Sequence, residues 1–356
     1  MNKKIIAATI LFFFVSVFFV SAKEKDDLYL KAVGEKNLET KIGLLKEYID
    51  KYGTEKDDKY IKFIYIQAVD TSYRLKLYDD TIRYGELAVG IEGIDPSNKL
   101  NVLFEISNAF YITKKDLDKA MNYAESIIEL SKEGIKELEK SGQDKAKADQ
   151  FINNYKMFYL APAYKLQALI LFNKNKDDAA MIKQAAEKAL LAYEIDKSES
   201  TATQIFGYAY NLSTKNQFNE AISLAEKVLN KENPKFNEVH FLGVLYFKIK
   251  DRDKALSYFE TAYKLKPQAD LALKIGQLVF KTDAEKGIKY FADSYVLSNF
   301  NKATDAYKYL QQLYFNEVAK GKTEDEKEEG FAAIIEAAKS RLGNAEKSDS
   351  GNSAEN

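Results

Sequence analysis

Few residues in this chain are equipped for covalent chemistry. There is one histidine, His240, and no cysteine among the 356 residues. That pairing removes thiol catalysis and the multi-histidine or cysteine-rich zinc sites, because zinc needs several such ligands around one point. A serine nucleophile would have to use His240 as its base, and no serine stands in a Gly-x-Ser-x-Gly turn. Neither glycine-rich phosphate signature occurs, and Asp251 and Asp253 lack the other ligands of a calcium loop. A carboxylate pair stays open, since Asp and Glu total 54. Asn211-Leu212-Ser213 has the form of a glycosylation acceptor. No cofactor and no metal are implied.

The elements that would hold any site are helices. Lys and Arg number 53 against 54 acids, a net charge of -1 that sets up no field for nucleic acid or an anionic membrane. No alternating apolar run of strand length occurs, so the mature chain reads as all-α. The clearest stretch is 241–267. Lys250-Asp251-Arg252-Asp253 is a polar break between two apolar periodic runs and places a turn there. Gly243 and Ala255 then stand where two antiparallel helices approach closely, with Tyr246, Phe259 and Ala262 filling the seam. Pro267 stops the second helix.

With Phe236 as position 1, Leu242 and Gly243 fall at 7 and 8, Tyr246 at 11, Ala255 at 20, Phe259 at 24, Ala262 at 27 and Pro267 at 32. On these residues the segment resembles a tetratricopeptide repeat; only the first aromatic position, held by Val239, departs. Upstream, Phe206, Gly207 and Tyr210 match positions 7, 8 and 11, with Ala221 and Pro234 following a turn about two residues longer. Downstream, Ile275, Gly276 and Phe291 match. Weaker copies run through Phe104, Asn108, Tyr111, Ala120 and Ala124, with Asn108 in place of the glycine, through Tyr65, Thr81 and Ala88, and through Ala168, Ala185, Ala189 and Ala192. The resemblance implies a right-handed α-solenoid of about six or seven antiparallel helical hairpins, the first over roughly 26–52 and the last from Lys302 through Arg341. Pro96, Pro234 and Pro267 lie at repeat ends; Pro162 starts a helix or kinks a longer one.

Lys3 and Lys4 precede an apolar run from Ile5 to Val20 that ends in Ser21-Ala22. This is the layout of a secretory signal peptide, 1–22, cleaved after Ala22; an uncleaved anchor is the alternative. The repeat domain then spans 23–342, a disordered tail spans 343–356, and the protein is exported, periplasmic or secreted.

Family resemblance further implies that the first helix of each repeat lines a groove for protein segments. Transferred onto this sequence, it selects Tyr73, Arg74, Phe172, Tyr208, Asn211, His240, Phe247, Lys248, Phe280 and Lys281, with Asp70, Glu105 and Ile112 beside them. Tyr73, Phe172, Phe247 and Phe280 would form a line of rings, with Arg74, Lys248 and Lys281 for carboxylates. The expected function is a non-catalytic scaffold or assembly factor. The alternatives are a carrier or sensor of a small molecule or glycan, and an enzyme using two carboxylates.

Overall fold

The computed structural model describes residues 23–55, 58–142 and 144–351, with side chains to residue 343. The signal-peptide expectation for 1–22 lies outside the described residues. Among them every regular element is a helix.

The first of two compact units ends at Gln204. It holds α1 (23–34) with α2 (Leu38–Tyr52), α3 (Ile61–Arg74) with α4 (Tyr78–Val89), and α5 (Pro96–Thr113) with α6 (Leu117–Lys140). Next come α7 (Lys145–Tyr155), a π-helical turn (Lys156–Leu160), α8 (Ala161–Lys174) and α9 (Ala179–Ile195). The unit boundary falls inside α10 (Glu199–Thr214). The second unit continues with α11 (Phe218–Val228), α12 (Phe236–Lys248), α13 (Arg252–Leu265), α14 (Ala269–Val279), α15 (Ala284–Leu297), α16 (Asp305–Leu313), a second π turn (Tyr314–Val318) and α17 (Glu324–Gly351). With the continuous α7–α8 helix counted as one, the helices of the described residues follow one another as eight pairs in chain order. α17 runs on to Gly351, past the point where the sequence places the start of a disordered tail.

One turn recurs inside these pairs. Lys76, Lys114, Asn216 and Lys250 each adopt left-handed backbone, with φ of 59°, 54°, 63° and 66°. After three of them the next amide closes the helix end: Leu77 N–H donates to the Ser72 carbonyl (2.8 Å), Gln217 to Leu212 (3.0 Å) and Asp251 to Tyr246 (3.0 Å). Asp251 then caps α13 by accepting from the Lys254 amide at 3.1 Å.

In three of the four pairs, counting back seven residues from that turn residue locates the point of closest helix approach, whereas from Lys76 it reaches the buried Val69. That point is Gly243 in α12, where a Cβ would stand 2.6 Å from the Phe259 ring, and Gly276 makes the same contact with Phe291 in the next pair. The same count reaches Ala209 in α10 and Ser107 in α5, both with no exposed surface. Ser107 also donates to the Ala120 carbonyl at 2.7 Å across the pair. Two register assignments from the sequence are corrected by this. Gly207 faces open space and Tyr210 is 61% exposed, while Tyr208 is 4% exposed, so the α10 repeat starts two residues later and its turn is not longer. In α5 Asn108 bonds the Phe104 carbonyl on its own helix (3.0 Å), and Ser107 takes the close position. Glycine was the wrong marker, because the contact requires a small residue and alanine or serine also fits.

Pro162 lies within a helix that is continuous from Lys145 to Lys174. Having no N–H, it leaves the Phe158 carbonyl without its usual donor. The helix widens just before it, and the Ala161 N–H reaches back to Lys156.

Carboxylates on the second helix of one pair tie down the next pair. Glu86 holds Lys119 at 2.6 Å. Glu226 accepts from Tyr246 (2.6 Å) and Tyr258 (3.1 Å), and Glu260 holds Lys286 (2.8 Å) and Tyr290 (3.0 Å). Burial and the Glu226 charge push the Tyr258 hydroxyl up to about 12, so this donor stays protonated at neutral pH. Near the end of the chain Asp293, 2% exposed, accepts from Tyr263 (3.1 Å) and pairs with Arg341 of α17 (2.6 Å).

Candidate functional site

In the first unit, Tyr73 ends α3 half-buried, with its ring edge-on to Tyr78 at 6.1 Å. Arg74 is exposed and pairs with Asp70 one turn earlier (3.6 Å). Glu105 of α5 senses both charges. Burial first, and then the Asp70 carboxylate, push its carboxyl up to about 8, against the pull of Arg74. It is therefore largely protonated at neutral pH. Phe172 is half-buried near the end of α8, and the neighbouring Asn173 donates to the Tyr111 hydroxyl at 3.1 Å. Register places Tyr111, not Ile112, level with Tyr73 and Phe247 in the repeat. A separate recess of about 460 Å³ lies beside the extended end of α6, lined by Gly134, Glu137, Leu138, Ser141, Phe151 and Tyr155.

In the second unit the expected residues separate. Tyr208 belongs to the core, and Asn211 donates to the Gly207 carbonyl at 2.8 Å. Ser213, the third residue of the glycosylation pattern, donates to Tyr210, so both polar side chains of that pattern bond helix carbonyls. His240 lies parallel to Phe236 (5.6 Å, 8°) and against Phe259 (5.9 Å). Burial, reinforced by Lys274, lowers its pKa, which makes it a neutral packing residue at pH 7. Phe247, 50% exposed, and Lys248 stand free of the core at the end of α12.

Phe280 and Lys281 do meet in a concave site. They line a cleft of about 610 Å³ with Thr282, Ala284, Phe291, Tyr309, Gln312, Leu313, Asn316 and Glu317. Its floor is aromatic: Tyr309 stacks on Phe291 (5.2 Å, 14°) and lies 6.0 Å from Phe280. Gly287 lets the end of α14 pack down, since a Cβ there would stand 2.8 Å from that of Phe280. Lys281 places its ammonium 5.8 Å from the Phe280 ring centre. The α16 side of this cleft, with Tyr309, Gln312, Leu313 and Asn316, was missed in the sequence. Gln312 and Asn316 at a spacing of four, beside Tyr309 and Leu313, were the available signal.

Fold and contacts define a class of protein built from tandem antiparallel helix pairs with small-residue crossings. The sequence profile of the tetratricopeptide repeat matches residues 239–268, the unit of α12 and α13, so the chain carries a tetratricopeptide repeat there. No curated protein sequence matches the chain. Among solved structures, a tetratricopeptide repeat protein from Parabacteroides merdae is 13% identical, covering 83% of this chain and 100% of its own, with a TM-score of 0.38. The assembly chaperone of RpL4, Acl4, is 12% identical over 74% of this chain and 97% of its own (TM-score 0.43). The apo form of RapI is 14% identical over 82% and 98% (TM-score 0.40).

Proposed function

We propose that this chain is an exported, non-catalytic scaffold or assembly factor that binds protein segments along the first helices of its repeats. The observation that carries the reading is the cleft of the second unit, where three rings and a lysine converge on a recess open to a partner. Rings of this kind offer contact area with little side-chain entropy to lose. Tyr73, Arg74, Phe172, Phe247, Lys248, Phe280 and Lys281 are the residues assigned to partner contact. Export rests on the sequence pattern of 1–22, and N-terminal sequencing of the protein from its own cells tests its cleavage: a chain beginning at Lys23 supports cleavage, and one beginning at Met1 refutes cleavage in favour of an uncleaved anchor.

Partner binding is tested by in-cell crosslinking and mass spectrometry of the wild type beside a variant with alanine at Tyr73, Phe172, Phe247 and Phe280. A protein captured by the wild type and lost by the folded variant supports the reading. Equal capture by both refutes the residue assignment, and no specific capture by either refutes the scaffold. The cleft's volume also suits a small ligand, which keeps a carrier as the second reading. A metabolite or glycan that raises the melting temperature would favour it.

A further inference from the structure

The hairpin of α6 and α7 departs from the other repeats. α6 runs for 24 residues where the second helices α4 and α13 run for 12 and 14, and its extra turns pack against α7, a stretch of helix added before α8. Gly134 admits the Tyr155 ring, since a Cβ there would stand 2.8 Å from it, and beside that contact lies the recess of about 460 Å³ walled by Leu138 and Phe151. A large apolar knob stands seven residues further along the same helix: Phe158, in the π turn, is 68% exposed, against 49% for Phe151 and 37% for Met157. Phe151, Asn154 and Phe158 follow the three- and four-residue spacing of one helix flank. The side-chain amide of Asn154, midway between the two rings, makes no hydrogen bond among the described residues.

We propose that this flank is an interface with a second copy of this chain, in which the two helices run antiparallel about a two-fold axis at Asn154 and each Phe158 enters the other copy's recess against Phe151. A two-fold axis requires that every feature find its complement on the same surface. Knob and recess meet that condition, lying on either side of Asn154, and a carboxamide on the axis donates to and accepts from its own copy. The charges favour the antiparallel arrangement, which sets Lys147 against Pro162 of the second copy, whereas a parallel one would set Lys147 against itself. Area fixes the strength. At about 200 Å² for each side chain, the three exposed ones offer about 300 Å² of apolar surface per copy, and with the usual polar share two copies would bury about 1,100 Å². That clears the roughly 1,000 Å² of a specific contact and falls short of the roughly 1,600 Å² of a standard one, so the dimer is weak and depends on concentration. The first-helix groove takes no part in it, and the scaffold reading neither supports nor needs this contact.

Sedimentation velocity on the protein purified from its own source, from micromolar to submillimolar concentration, tests this. The weight-average mass is expected to rise towards twice that of the monomer. Phe158→Asp, at an exposed position, should stay monomeric throughout and keep the wild-type urea midpoint. The chain has no cysteine of its own, so a single introduced one reads the symmetry. Asn154→Cys, on the axis, should link two copies under mild oxidation, and Lys147→Cys, about 10 Å along the helix from the axis, should not. A wild type that stays monomeric at every concentration overturns the proposal, as does a dimer that survives Phe158→Asp or one that crosslinks as readily through Lys147→Cys as through Asn154→Cys. A monomeric wild type that sediments with phospholipid vesicles, and loses them on Phe158→Asp, would give the patch to a membrane surface and overturn the proposal equally.

Discussion

The pairs α12–α13 and α5–α6 make the same turn and the same crossing with different residues, and the contrast separates what the repeat requires from what it merely contains. At the crossing, α12 has Gly243 under the Phe259 ring, while α5 has Ser107 bonded to the Ala120 carbonyl. Two residues before the crossing, α12 has Phe241, whose ring meets Tyr210 of α10 at 6.1 Å. The corresponding place in α5 holds Glu105, whose carboxyl is pushed up to about 8 by burial and Asp70. The crossing in these two pairs thus takes a small residue, and the neighbouring site accepts either a ring or a carboxyl. Only the carboxyl brings a pH dependence with it.

The largest expected effect is at the crossing. Gly243→Val and Gly276→Val each force a side chain into a ring 2.6 Å away and should destabilise the fold by about 1–3 kcal/mol in urea unfolding. Gly207→Ala, at a glycine with open space around it, should instead stabilise by about 0.5–1 kcal/mol. Equal losses at Gly207 and Gly243 would restore the register read from the sequence and break the comparison.

An effect that depends on pH is expected at Glu105. The folded state holds this proton up to a pKa of about 8, whereas the unfolded chain releases it near 4.5. Between those values the native state binds more protons, so the contribution of Glu105 to stability falls as pH rises and is fully lost above pH 8. Glu105→Gln should therefore raise the melting temperature at pH 9 relative to wild type by more than it does at pH 4. A difference that does not change with pH would mean that the carboxyl titrates as if exposed.

The smallest effect lies in the shared turn. Lysine in left-handed backbone is strained, at a cost of about 1–2 kcal/mol, while glycine loses about 0.5–1 kcal/mol in entropy. Lys250→Gly should accordingly gain up to about 1 kcal/mol, and Lys76→Gly a similar amount. A gain at Lys250 with a loss at Lys76 would show that the two turns are not equivalent.

The α12–α13 pair was legible because each of its requirements is local. Gly243, Ala255, Phe259 and the Lys250–Asp253 break all lie within one hairpin, and their spacing follows from helix pitch. The α10 repeat was misread by two residues because Gly207 and Tyr210 imitate the pattern, while Ala209, the residue at the crossing, has no distinctive chemistry. Among the assigned site residues, Phe280 and Lys281 could be reached by counting along a repeat. Tyr309, Gln312 and Asn316 could not, because the cleft they complete depends on how α16 packs on α15 and on where its helix widens.

The sequence by itself determined the helical class, the hairpin as the building unit, the turn at Lys250 and the neutral overall charge. Those follow from residue type and short-range spacing, which act over a few turns of helix. Tertiary structure alone decided which small residue lies at each crossing, that Tyr208 is core while Phe247 is surface, that Pro162 sits in a continuous helix behind a π turn, and that Phe280 faces Tyr309. Each of these depends on which atoms another helix brings into contact, and the pattern along one helix does not contain that information.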